Sequence, residues 1–94
     1  AVRLNPQLVV AHLEIGKLQV ALGRNPEALA TYQNAIEANP QNTDLYFELG
    51  LAYLRSGQKD RALDPFKKVL ELTPRHPEDE LIRDFLQRIQ QENK

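Results

Sequence analysis

The side chains able to do chemistry are few, and their spacing argues against most kinds of it. His12 and His76 are the two histidines of a 94-residue chain without cysteine. His76 with Glu78 and Asp79 in "PRHPEDE" comes nearest to a metal-ligand group, but the spacing matches no standard zinc set, and turns of this composition are ordinarily solvated. His12 falls at a core position of a helical pattern, where a ring wedged between helices is the simpler reading. There is no Gly-rich phosphate loop, no nucleophile elbow and no His-Glu-x-x-His pair. The expectation is a protein that is not an enzyme, with no catalytic residue, no cofactor and no metal.

The charge balance narrows the partners. Twelve basic and 13 acidic side chains give a formal charge of −1, with no basic stripe of the kind that neutralises phosphates, so nucleic acid is not expected. The apolar runs are too short to span a bilayer, and the N-terminus has no signal-peptide pattern. A soluble chain is expected, with the cytoplasm the favoured compartment. Without cysteine or a zinc set, its stability must come from packing alone.

What positions the side chains is a repeat. Shifted by 34 residues, Pro6, Pro40 and Pro74 fall in register, as do Gly16 with Gly50, Gly23 with Gly57, Ala28 with Ala62 and Leu29 with Leu63. Residues 5–38 and 39–72 share 9 identities, concentrated at the residue types that backbone geometry selects, which makes this an internal repeat. Gly23 and Gly57 stand where one helix must stop, because glycine takes the left-handed position at a helix C-terminus without a steric penalty. Asn25 before Pro26 reads as an N-cap followed by the first helical residue. Each unit is therefore a helical hairpin. Gly16 and Gly50 lie inside first helices, where glycine costs about 1 kcal/mol against alanine, so a close helix crossing is expected there. Ala28 and Ala62 are the expected small residues across it, with Tyr32 and Phe66 one turn later filling the wider gap. Pro65, inside "RALDPFKKVL", requires a late start or a bend.

This pattern resembles the tetratricopeptide repeat family. The family's succession of large residue, Leu, Gly, Tyr, Ala, Phe, Ala and Pro is matched by Tyr46, Leu49, Gly50, Tyr53, Ala62, Phe66, Val69 and Pro74. The earlier unit supplies His12, Ile15, Gly16, Gln19, Ala28, Tyr32, Ala35 and Pro40, departing from the pattern at His12 and Gln19. The resemblance implies an all-α fold, a right-handed superhelix of helix-turn-helix hairpins with two full repeats over 7–40 and 41–74. Residues 1–6, "AVRLNP", match the end of a repeat, so a preceding repeat cut short is expected there, a natural N-terminal arm being the alternative. Over 75–94 the grammar stops. Leu81, Ile82, Phe85, Leu86 and Ile89 form one apolar stripe, behind Pro77 and an acidic first turn, which reads as a C-terminal capping helix.

One segment points to function. In "DLYFELGLAYLR", Leu45, Tyr46, Leu49, Gly50, Ala52 and Tyr53 fall on the packing faces, which leaves Phe47, Leu51 and Leu54 as a second apolar stripe bordered by Asp44, Glu48 and Arg55. The first unit has a weaker counterpart in Val10, Leu13 and Val20, interrupted by Lys17. By the resemblance these positions line a concave peptide-binding surface; the other reading is that neighbouring structure covers them. Some members hold a chaperone's terminal carboxylate through Lys, Asn and Arg. Leu13, Lys17 and Glu48 stand at the corresponding places, so no such clamp can be built. The expected function is a non-catalytic protein–protein interaction module, part of a longer array, whose apolar groove over Val10, Leu13, Lys17, Val20, Phe47, Glu48, Leu51, Leu54 and Arg55 takes a peptide or helix of a protein partner. The alternative is a scaffold element forming a weak homo-oligomer through exposed helix faces.

Overall fold

A computed structural model describes residues 6–92 as five helices: α1 Pro6–Ala21, α2 Asn25–Ala38, α3 Thr43–Arg55, α4 Lys59–Leu72 and α5 Asp79–Glu92. The expected repeat remnant over 1–6 lies outside the described residues, apart from Pro6 at the start of α1. Each helix packs on the next, and α1 also reaches α3. The described chain is all-α, made of helices in sequential pairs with α5 added at the end. The extents of 42 × 30 × 21 Å fit this arrangement, since the smallest is about two helix diameters.

The hairpin turns follow from glycine. Gly23 and Gly57 have φ of 79° and 78°, the left-handed region. Around each the same two bonds close the helix: Gly23 N–H donates to the Val20 carbonyl at 3.0 Å and Arg24 N–H to Gln19 at 2.8 Å, matched by Gly57 to Leu54 at 3.1 Å and Gln58 to Tyr53 at 2.8 Å. This is the Schellman arrangement, which satisfies carbonyls that the helix end leaves free. The turns are so tight that Asn25 is already helical. The cap position is held by Arg24 with no side-chain bond, so Asn25 is not the N-cap that its place before Pro26 led us to expect. Asn42 does cap α3, its Oδ1 accepting from Leu45 N–H at 3.2 Å.

The mid-helix glycines do mark close approach. A Cβ on Gly50 would lie 2.7 to 3.0 Å from Phe66 ring atoms, and one on Gly16 would be crowded still more closely by the Tyr32 ring. The aromatic rings are the atoms nearest the glycines. Ala28 and Ala62 are wholly buried in the core, which also holds Tyr32, Ala35, Leu45, Leu49, Ala52, Tyr53, Phe66, Val69 and Ile82. Helix α4 runs through Pro65, which is itself buried. Proline lacks the N–H that would bond to the Arg61 carbonyl, and both residues border an open cleft between α2 and α4.

Helix α5 docks on a narrower line than its composition indicates. Ile82 and Ile89 are buried and Phe85 and Leu86 half-buried, but Leu81, expected in the same stripe, is 58% exposed. Its chain is held to the second hairpin by ring contact, Phe85 lying edge-on to Phe66 with centroids 5.2 Å apart.

Candidate peptide-binding site

Helix α3 carries the site because two of its faces are used up by its neighbours. Leu45, Leu49 and Ala52 are buried, α3 packs on both α2 and α4, and Gly50 receives the Phe66 ring of α4. The remaining face presents Phe47, Leu51 and Leu54, all half-buried and packed on the edge of the core.

The structure brings the expected residues together in two adjoining clefts. One, of about 330 Å³ between α1 and α3, is lined by Lys17, Val20, Glu48, Leu51 and Arg55, with Tyr32 and Ala52 also in its wall. The other, of about 120 Å³, lies between α3 and α5 and is lined by Phe47, Leu51, Leu54, Phe66, Leu81, Ile82 and Phe85. Leu51 belongs to both. Val10 and Leu13 line neither cleft: Val10 projects to solvent and Leu13 packs half-buried against the core. The surface is therefore a charged cleft and an apolar slot on either side of one leucine.

The electrostatics of the charged cleft follow from its partial burial. Desolvation raises the Glu48 carboxyl above its ordinary value; Lys17 and Arg55 pull it back, and Asp44 pushes it further up. Burial, with the Glu48 charge adding and Arg55 opposing, pushes the Tyr32 hydroxyl up to about 12, so it stays a neutral donor at physiological pH. Among the described residues the ion pairs are Arg24–Glu27, Lys59–Glu92, Lys68–Glu71 and Asp84–Arg88, and none of them engages Lys17, Glu48 or Arg55. These three charges share a cleft without being spent on one another, which leaves both signs available to a ligand.

His76 closes the rim of the apolar slot. Its ring lies on Phe47 with centroids 5.2 Å apart, and its Nδ1 accepts the Glu78 backbone N–H at 3.0 Å. That bond occupies one of its two ring nitrogens, and no group of three potential ligands gathers among the described residues. The sequence concealed the far wall of the slot, because Leu81, Ile82 and Phe85 read as the buried stripe of a cap. It also concealed a shallower cleft of about 600 Å³ on the other side, floored by Tyr46, Leu49 and Tyr53 between α2 and α4. The signal available for that cleft was the pair of tyrosines seven residues apart.

Compared with known families, residues 13–77 match the tetratricopeptide repeat, more than half of the chain, and the protein belongs to that family. No curated protein matches it. Such domains are in general protein–protein interaction modules, and no helix among the described residues is long and apolar enough to cross a membrane.

Proposed function

We propose that this protein is a non-catalytic interaction module that holds a peptide or helix of a protein partner across α3, with a bulky apolar side chain in the slot between α3 and α5 and charged neighbours over Lys17, Glu48 and Arg55. The repeats are taken as 7–40 and 41–74, with the cap over 75–94. The observation that carries the reading is the position of Leu51, a half-buried leucine shared by an apolar slot and a charged cleft. Large apolar side chains left partly open beside unpaired charges are the make-up of an anchor pocket with a polar rim. Val20 and Leu54 extend the apolar floor on either side. Val10 and Leu13, outside both clefts, contribute at most to the margin.

The test is selection of binders from a random peptide library on the immobilised chain, followed by measurement of the selected peptides against variants. Leu51→Glu places a charge in both clefts and is expected to abolish binding while leaving the helical circular dichroism unchanged. Lys17→Ala or Arg55→Ala should weaken binding by up to about fivefold, the range of an exposed charge contact. Peptides that retain affinity for Leu51→Glu but lose it on Tyr46→Ala would move the site to the cleft between α2 and α4.

A further inference from the structure

The charged cleft and the apolar slot hold one position of the fold written twice. Lys17, Val20 and Tyr32 line the first, and their counterparts 34 residues on, Leu51, Leu54 and Phe66, line the second. Between the two an ammonium group gives way to an isobutyl group and a phenol to a phenyl ring. Lys17 and Val20 reach the cleft from one side of α1, while Ile15, Leu18 and Leu22 lie exposed on the other. The hydroxyl end of the Tyr32 ring lies over Gly16, where the missing side chain leaves it room. Tyr32 is 1% exposed and yet part of the cleft wall. Among the described residues no group hydrogen-bonds its hydroxyl, which leaves a donor at the floor of the cleft without a partner.

We propose that the charged cleft holds the carboxylate of an aspartate or glutamate side chain of the partner, beside the bulky apolar residue that fills the slot. This rests on the reading of α3 as the partner-binding surface and names the chemistry of its second subsite. Charge selects the occupant. The residues lining the cleft carry two cations, Lys17 and Arg55, against one acid, Glu48. A lysine or arginine of the partner would meet two like charges there, and a carboxylate meets one. Even that one yields readily, because burial already disfavours the ionised form of Glu48. Asp44, which acts on Glu48 from one turn away along α3, is exposed to water and is not part of the wall. The Tyr32 hydroxyl, its pKa pushed up to about 12, donates to an anion as a neutral group, and a bond from it to a charged acceptor is of the stronger kind. The slot has no such donor, since leucine and phenylalanine stand in the places of Lys17 and Tyr32.

The test is a library of short peptides, each with one fixed phenylalanine and every other position random, sorted on the immobilised full chain. Retained peptides are expected to carry Asp or Glu at a constant offset from the phenylalanine. Exchanging that acid for its amide should weaken binding to the parent about tenfold or more, the range of hydrogen bonds to a charged group. The same exchange should matter much less to Tyr32→Phe, which keeps the ring over Gly16 and copies the second hairpin. Lys17→Ala, an exposed change, should blunt the discrimination to a smaller degree. Glu48→Gln should tighten binding of the acidic peptide severalfold and leave its amide form nearly unchanged. Amidating the peptide's C-terminus should leave affinity as it was; a loss would assign the cleft to a chain terminus and overturn the proposal. Peptides released by Leu51→Glu that need no acid, or that carry Lys or Arg in its place, overturn the carboxylate and leave the α3 surface standing. Peptides indifferent to Leu51→Glu, or none retained at all, overturn the α3 surface and the carboxylate with it.

Discussion

The first and second hairpins are built alike and packed differently. Both have a glycine under an aromatic ring, the same left-handed turn and the same pair of closing bonds. Yet α3 is enclosed by α2 on one side and α4 on the other, whereas α1 packs on α2 and the edge of α3 and leaves a whole stripe in water. Even the polar detail shifts. Tyr53 in α3 accepts from Gln33 of α2 at 2.9 Å, while Gln19, its counterpart in α1, accepts from Thr31 of α2 at 2.7 Å. Sequence grammar sets the backbone of a repeat, and the neighbours set what its side chains contribute.

That contrast can be broken most forcefully at Leu45, which is completely buried in α3. Leu45→Ala should cost about 2 to 5 kcal/mol in urea unfolding, a large part of the stability of a small domain. Ile82→Ala, at the buried centre of the cap, should cost about 2 to 4 kcal/mol, and more than the same change at exposed Leu81. Phe85 is the poorer probe, being half-buried although it lies against Phe66.

Gly50→Ala tests the shared element of the two hairpins. Its methyl group meets the Phe66 ring at under 3 Å, so overpacking of about 1 to 3 kcal/mol outweighs the roughly 1 kcal/mol gained from helix propensity, and thermal melting should show a net loss. Gly16→Ala should lose stability in the same way through Tyr32, and a gain at either position would mean the ring moves aside freely. Ile15→Ala, the register partner of buried Leu49, should cost less than about 1 kcal/mol because the side chain is already half in water.

The smallest effect has an informative sign. Burial raises the carboxyl of Glu48 in the folded protein, so the folded state holds its proton more tightly than the unfolded one. The associated stability is present below the ordinary carboxylate range and is lost as pH rises through the raised value. Glu48→Gln removes that loss, so the variant should melt slightly above the parent at neutral pH, and the gap should close as the solution is acidified through the carboxylate range. A gap independent of pH would assign the gain to packing instead.

Much of this could be read from residue types. Gly23 and Gly57 announce the turns, the 34-residue spacing announces the hairpins, and Phe47, Leu51 and Leu54 are left over once the packing faces are assigned. What could not be read depends on how helices rotate about their axes. The buried residues of α5, Ile82 and Ile89, lie 34 positions after Glu48 and Arg55, which line an open cleft in α3. The cap therefore does not present the same face as the repeat helices. Its placement against Phe47 and Leu54 is what separates the apolar slot from the charged cleft, and no period in the sequence encodes that rotation. Asn25 is a similar case. It has the right side chain for a cap, but the Schellman turn leaves no room before the helix begins, and its Oδ1 is buried without a partner.

The one-sided burial of α1 also grades the molecule in time. A helix with its outer face open to water can unfold locally at a free energy below that of global unfolding. Amide protons of α1 should therefore exchange with deuterium faster than those of α3 and α4. A protease cut is expected at the exposed "PQ" of Pro40 and Gln41, just past the first hairpin. Hydrogen exchange would rank the helices in that order, and anything that covers the outer face of α1 would slow its exchange selectively.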